Sequence, residues 1–266
     1  MGNTIDWGQA AVNNTIGFGQ GAKIGGSSFS NTKSILLDGI DDIVTMGDVL
    51  NMANDGTNPF SYSVWFKTTY SGSYQGFIGK QRNAGFFNGV SLTMRGDLKI
   101  FFFALGTSQS NQWVRGKTGI ISDINDGNWH HACLTYDGSQ LLSGFTLYYD
   151  NNSLAILPEG TQGTPTNVST VGLADFMIGA RGTAASIGIP FNGNLDEVSY
   201  FTSELSSGDV STIYNSGIPN DISSLNPVGW WRCGDGDTSP ILTDNGSGGN
   251  NGTMTNFTTF STDVPI

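Results

Sequence analysis

At 266 residues the chain is long enough for one large all-β domain or two small ones, and only 12% of it is charged. Its 38 glycines, with abundant Asn, Ser and Thr, describe many strands joined by tight turns rather than helices, and an aromatic content of 11% excludes a disordered chain. A net charge of −11, with eleven Lys and Arg scattered singly, excludes a nucleic-acid binder and suits solubility and divalent cations.

The chain opens on a near-duplication. Asn3-Thr4-Ile5-Asp6-Trp7-Gly8-Gln9 returns as Asn14-Thr15-Ile16-Gly17-Phe18-Gly19-Gln20. Ile and an aromatic sit two apart in each copy, so Ile5 with Trp7, and Ile16 with Phe18, share a face of a short strand. Two copies are too few for a solenoid. The expected roles are an assembly arm that adds strands to a partner sheet, or a pair of strands that pad the domain's own edge. Residues 1–33 are read as this arm and a Gly/Ser/Asn-rich linker. Met1–Ala10 lacks the basic region and hydrophobic run of a signal peptide, and no apolar stretch is long enough to span a bilayer.

From residue 34 the pattern becomes that of strands. Residues 34–48 give two short ones about Asp38-Gly39. Residues 60–69 alternate, with Tyr62, Val64 and Phe66 on one face and Ser63, Trp65 and Lys67 on the other. Residues 89–105 form a hairpin turning near Gly96-Asp97. Residues 113–121 are a further strand pair or a loop, and strands follow at 127–138, 143–157, 174–181 and 191–201. One helix is predicted at 207–215: Ser206 and Asp209 make a capping pair, Val210, Ile213 and Tyr214 an apolar stripe, and Gly217 a stop. The sum is a two-sheet sandwich of jelly-roll type. Cys133 and Cys233 fit no zinc spacing; they are either a disulfide or, the better reading, two buried free thiols.

Eight phrases in order resemble the laminin-G-like jelly roll of the concanavalin A-like lectin/glucanase superfamily. They are Leu37-Asp38-Gly39-Ile40-Asp41-Asp42-Ile43-Val44, Tyr62-Ser63-Val64-Trp65-Phe66-Lys67, Gly76-Phe77-Ile78-Gly79-Lys80, Asn128-Trp129-His130-His131-Ala132, Thr135-Tyr136-Asp137-Gly138, Leu147-Tyr148-Tyr149-Asp150-Asn151, Phe191-Asn192-Gly193-Asn194-Leu195-Asp196-Glu197-Val198, and the helix ending Ile213-Tyr214. The resemblance implies an all-β antiparallel sandwich at 34–217, with residues 218–266 packing back on it. The tail, with its Trp-Arg, Gly-Asp-Gly and Asn-Gly-Thr phrases, and the opening repeat are similar to segments of bacteriophage and environmental-virus structural proteins.

That superfold hosts lectins, enzymes and structural modules alike. Glucanases of the superfamily carry alternating acids on one strand, whereas Asp196 and Glu197 are adjacent and so expected on opposite faces, with Ser199 and Phe201 where further acids would be needed. His130 and His131 likewise diverge, one packed and one at the surface, and cannot chelate one metal. A structural Ca²⁺ at the sandwich rim is what the resemblance implies, on Asp38, Asp41, Asp42 and Asp196, with Gly234-Asp235-Gly236-Asp237 a further turn of suitable type. Glycan binding calls for exposed aromatics, and Tyr70, Tyr74, Phe86, Phe87 and Trp113 fall in or near predicted loops, while Trp65, Trp129 and Trp230 are assigned to the core. Arg95-Gly96-Asp97 is read as an ordinary hairpin turn. The leading expectation is a non-catalytic virion structural or adhesion protein. It would be made in the host cytoplasm, released by lysis, and held in a homo- or hetero-oligomeric assembly through its arm, with host-surface glycans as further partners. The alternative is a free carbohydrate-binding module, and a glycoside hydrolase comes last.

Overall fold

Phe60–Lys67 shows how this sequence becomes two layers. Tyr62, Val64 and Phe66 point into a core cluster with Phe77, Phe101 and Phe176, while Trp65 points the other way and is still only 2% exposed. A strand buried on both faces needs a sheet on one side and a further cover on the other. The computed structural model describes residues 29–51, 56–83, 88–107, 112–165 and 168–266. The opening repeat, and with it Ile5, Trp7, Ile16 and Phe18, lies outside them, as do Phe86 and Phe87.

The strands are β1 (Ser34–Asp38), β2 (Ile43–Gly47), β3 (Phe60–Lys67), β4 (Tyr74–Gln81), β5 (Gly89–Arg95), β6 (Ile100–Gly106), β7 (Trp113–Thr118), β8 (Trp129–Tyr136), β9 (Phe145–Tyr149), β10 (Asn152–Leu154), β11 (Ile156–Pro158), β12 (Phe176–Ile178), β13 (Arg181–Thr183), β14 (Ser186–Gly188) and β15 (Asn192–Phe201). Helix α1 (Ser207–Tyr214) follows, then β16 (Gly229–Trp231), β17 (Ile241–Leu242), β18 (Gly252–Thr255) and β19 (Phe260–Ser261). One sheet runs β10-β9-β8-β3-β15-β1-β19, with β16 also on β15; the other runs β11-β7-β6-β5-β4-β12-β2-β18-β17. Every strand pairing within the two sheets is antiparallel, and their packing face to face gives the jelly-roll sandwich. The segment after α1 thus adds strands to both sheets. Among the described residues no helix is long and apolar enough to cross a membrane.

Aromatic rings fill the space between the sheets. Phe66 and Phe77 lie 4.8 Å apart, Tyr136 stacks on Phe145 at 4.2 Å, and Phe101 meets Phe66 edge-on at 5.9 Å. Each such pair contributes about 0.5–1.5 kcal/mol beyond its buried area.

The outer face of the eight-stranded sheet is covered. Helix α1 starts at the capping box of Ser206 and Asp209, each side chain accepting the other's backbone N–H. Its Val210 and Ile213 pack with Phe201, Leu205, Ile222 and Trp230, and Tyr214 stacks on Trp65 at 5.7 Å. Cys133 lies in this cover and Cys233 in the main core, both free and buried.

Two assignments made from sequence are corrected here. Trp129 is not core: it is half-buried and its indole N–H donates to Asp263 Oδ1 at 2.8 Å, beside the Lys67–Asp263 ion pair. Neither histidine is at the surface. His130 is held between Asp150 (2.7 Å) and Asp126 (3.2 Å), and His131 lies against Ser63 Oγ at 2.8 Å, both buried because the second layer covers the face that alternation sends outward.

Candidate functional site

Among the described residues no helix lies on the outer face of the nine-stranded sheet over β4 to β7, and there aromatic and cationic side chains come together. Strand β6 reads Ile-Phe-Phe-Phe-Ala-Leu-Gly. Alternation sends Phe101, Phe103 and Leu105 into the core, which obliges Phe102 and Ala104 to face outward. Register then chooses their neighbours: Phe102 is opposite Thr93 of β5 and Lys117 of β7, and Ala104 is opposite Ser91 and Arg115. From β4, Tyr74 meets Phe102 edge-on at 5.6 Å.

The hairpin of β13 and β14 forms one wall. Ile187 anchors it on Ile43, Met177 and Ala180. Gly182 sits at φ +113°, and any Cβ there would lie 2.2 Å from the Ser186 carbonyl, so the turn requires glycine. Arg181 at the start of the hairpin donates Nη1–H to Gln81 Oε1 at 3.2 Å, and Gln81 is fixed in turn by Ser91 Oγ (2.8 Å) and the Ala104 carbonyl (3.1 Å). Burial lowers the Arg181 guanidinium from its usual value, against the opposing influence of Tyr74. On the other side the Arg115 guanidinium lies over the Trp113 ring at 4.7 Å. Between these walls is a cavity of about 190 Å³ lined by Tyr74, Phe102, Ala104, Arg115 and Arg181. That is below the ~300–1,000 Å³ of ordinary ligand pockets, and leaves room for one small ring.

Of the aromatics singled out from sequence, Tyr74 lines this cavity and Trp113 supports its wall. Tyr70 does not join them: its ring lies over Gly72, away from the cavity lining, and its carbonyl accepts from Asn125 at 3.0 Å. Phe102, Arg115 and Arg181 were missed, although three consecutive phenylalanines on an alternating strand require that at least one face outward. Arg95 forks onto Asp97 (3.1 and 2.7 Å) and covers Tyr74 at 4.9 Å, so the Arg-Gly-Asp tripeptide is closed on itself.

The four aspartates divide. Asp38, Asp41 and Asp42 place carboxylate oxygens within 4.8 Å of one another at the β1–β2 turn. Two oxygens across a Ca²⁺ with bonds of 2.3–2.6 Å stand about 5 Å apart, so this hard donor set fits one side of such an ion. Burial raises the Asp42 carboxyl above its usual value, and the charges of Asp38 and Asp41 add to the rise.

Asp196 is elsewhere. It is opposite Trp65 while Ser199 is opposite Ser63, so β15 carries an extra residue, a β-bulge with Glu197 at φ +43°. The bulge lets Leu195 and Val198 both enter the core and turns both Asp196 and Glu197 outward, where a regular strand would have separated them. Both are buried under the C-terminal segment. Glu197 accepts from Trp230 Nε1 (2.6 Å) and Arg232 Nε (3.0 Å), and Asp196 from Asn31 (2.9 Å) and the Glu197 N–H (2.8 Å). Burial pushes Asp196 well above the carboxylate range, and Glu197 up to about 7 in spite of Arg232 and Trp230. Asp237 accepts the backbone N–H groups of Gly234 and Thr243, which is turn-forming work, whereas Asp235 accepts those of Thr32 and Lys33 and so ties the segment before β1 to the tail.

Residues 38–211 match the family model of the concanavalin A-like lectin/glucanases superfamily, laminin-G type. The chain belongs to that superfamily. Among solved structures with this lectin-like fold, a candidate carbohydrate-binding protein from Bacteroides ovatus superposes with a TM-score of 0.57 at 18% identity. The match covers 90% of this chain, which spans 62% of that protein's length. The CBM40 module of a Ruminococcus gnavus sialidase superposes at 0.48 with 11% identity, over 68% of this chain and 96% of the module. A pentraxin from Limulus polyphemus gives 0.46 at 14% identity, over 69% and 82%. At such identities the likeness is one of fold. No curated protein is similar in sequence.

Proposed function

We propose that this lectin-like domain is a non-catalytic carbohydrate-binding module whose ligand sits on the outer face of the nine-stranded sheet, against Phe102 and Tyr74. The observation that carries the reading is the cavity between β6, β7 and β13, where an aromatic platform and fixed polar donors meet at a face on which no helix of the described residues lies. Aromatic rings offer the apolar face of a sugar an apolar surface, and a few placed polar groups orient it. The carbohydrate-binding assignment of the Bacteroides protein points the same way.

Hydrolysis is disfavoured on physical grounds. A retaining pair needs two carboxyls about 5 Å apart flanking an accessible bond. Asp196 and Glu197 are 0% and 4% exposed, with Arg232 and Trp230 over Glu197. The virion assembly reading rests on the opening repeat, outside the described residues, and gains no support from the sites above. For Ca²⁺, Asp38, Asp41 and Asp42 are the proposed ligands; the ion would neutralise three crowded carboxylates and fix the β1–β2 turn.

The test is a glycan array probed with the chain and with Phe102→Ala. Binding that the substitution removes supports the reading. Binding to no glycan, or binding indifferent to Phe102, refutes it.

A further inference from the structure

The charge around the cavity runs against that of the chain. The protein has eleven Lys and Arg and a net charge of −11, yet Arg95, Arg115, Lys117 and Arg181 lie on β5, β7 and β13 around one face. Arg95 is paired with Asp97 at 2.7 Å and Lys117 with Glu159. Among the described residues no carboxylate stands within ion-pair distance of Arg115, and the cavity lining holds two guanidiniums and no acid.

The donor count points to the ligand. A neutral sugar hydroxyl both donates and accepts, and is best met by a mixture of acceptors and donors. Guanidinium groups only donate, five N–H each in a planar fork. A lining whose charged groups are all donors satisfies a group that only accepts, and the fork matches the two oxygens of a carboxylate or sulfate. The partial desolvation of Arg181 fits the same account: an oxyanion there would offset what burial costs the cation.

We propose that the cavity takes an acidic saccharide unit, its ring against Phe102 and its oxyanion between Arg115 and Arg181. This rests on the carbohydrate-binding reading and sharpens it to a ligand class. Because the whole chain is strongly acidic, diffuse attraction to a polyanion is not expected, so retention on one would report a local site.

Affinity electrophoresis or calorimetry on the full chain would use three probes: a polyuronate, a sulfated dextran and uncharged dextran, each at low and high salt. The variants are Arg115→Gln and Arg115→Lys, with thermal unfolding to confirm that both fold. Binding to an acidic polymer, weakened at least tenfold by Arg115→Gln and partly kept by Arg115→Lys, supports the proposal. The polymer preferred, polyuronate or sulfated dextran, tells carboxylate from sulfate. Binding of uncharged dextran as strong as that of the acidic polymers, or indifference to Arg115→Gln, overturns the acidic class and leaves the carbohydrate-binding reading standing. Binding to none of the three, together with a blank glycan array, removes both.

Discussion

Arg232→Ala is the substitution whose effect can be reasoned furthest. Arg232 donates Nε–H to Glu197 Oε1 at 3.0 Å and Nη2–H to the Ser30 carbonyl at 2.6 Å, and lies over the rings of Phe29 (4.3 Å) and Trp230 (5.7 Å). Its loss leaves the Glu197 carboxylate, 5% exposed, with Trp230 Nε1 alone. Breaking a buried pair from one side costs about 3–5 kcal/mol when the remaining group must stay charged. Here the remaining group has an escape. Burial already holds Glu197 at about 7, and without Arg232 it moves higher still, so at pH 5 the carboxyl is neutral and only packing and hydrogen bonds are lost, about 1–2 kcal/mol. At pH 8.5 the deficit should rise to about 3–5 kcal/mol. In the wild type the sign is that of raised carboxyls: stability from Asp196 and Glu197 is fully present below their unfolded values and falls as pH rises from about 4.5 through about 7. Urea unfolding of both proteins at pH 5 and pH 8.5 measures this. A deficit equal at the two pH values, or below about 1 kcal/mol at pH 8.5, would refute the reasoning.

Three further outcomes follow from the same geometry. Phe102→Ala should lower glycan affinity about tenfold or more while changing stability by less than about 1 kcal/mol, because the ring packs on the sheet's outer face and not between the sheets; titration calorimetry and urea melts separate the two effects. Ser206→Ala removes one half of the capping box and should cost about 1 kcal/mol, read as a lowered urea midpoint at unchanged m-value. Millimolar Ca²⁺ should raise the melting temperature, EDTA should reverse the rise, and Asp41→Asn should abolish it, since a ligand bound only to the folded state stabilises by mass action; a melting temperature indifferent to Ca²⁺ would leave Asp38, Asp41 and Asp42 as a turn and nothing more.

The sandwich was legible because its signals are local. Alternation in Phe60–Lys67 names the inward face, and Ser206, Asp209 and Gly217 bound the helix within a dozen residues. The candidate site was legible only in part, because it is assembled by register. Tyr74 and Trp113 stand out as aromatics near turns, but what joins them is the pairing of β4 through β5 and β6 to β7 and the folding of β13 over β4. No short window contains that information, so Arg115 and Arg181 read as isolated surface charges.

The acidic pair failed for the opposite reason, an irregularity within a single strand. Period-two reasoning separates Asp196 from Glu197, and one extra residue in β15 reunites them. Nothing in Asn-Leu-Asp-Glu-Val announces a bulge, since Glu197 reaches φ +43° without glycine. What holds so strained a position is the C-terminal segment, whose Trp230 and Arg232 grip the Glu197 carboxylate while β16 pairs with Val198, Ser199 and Tyr200 just beyond it. The bulge and the tail are therefore one structural device: the tail supplies the partners that make two adjacent buried acids tolerable, and the acids give the tail a fixed point on the sandwich. On this account the two adjacent acids serve to attach the tail, and the face proposed above for a ligand belongs to the other sheet.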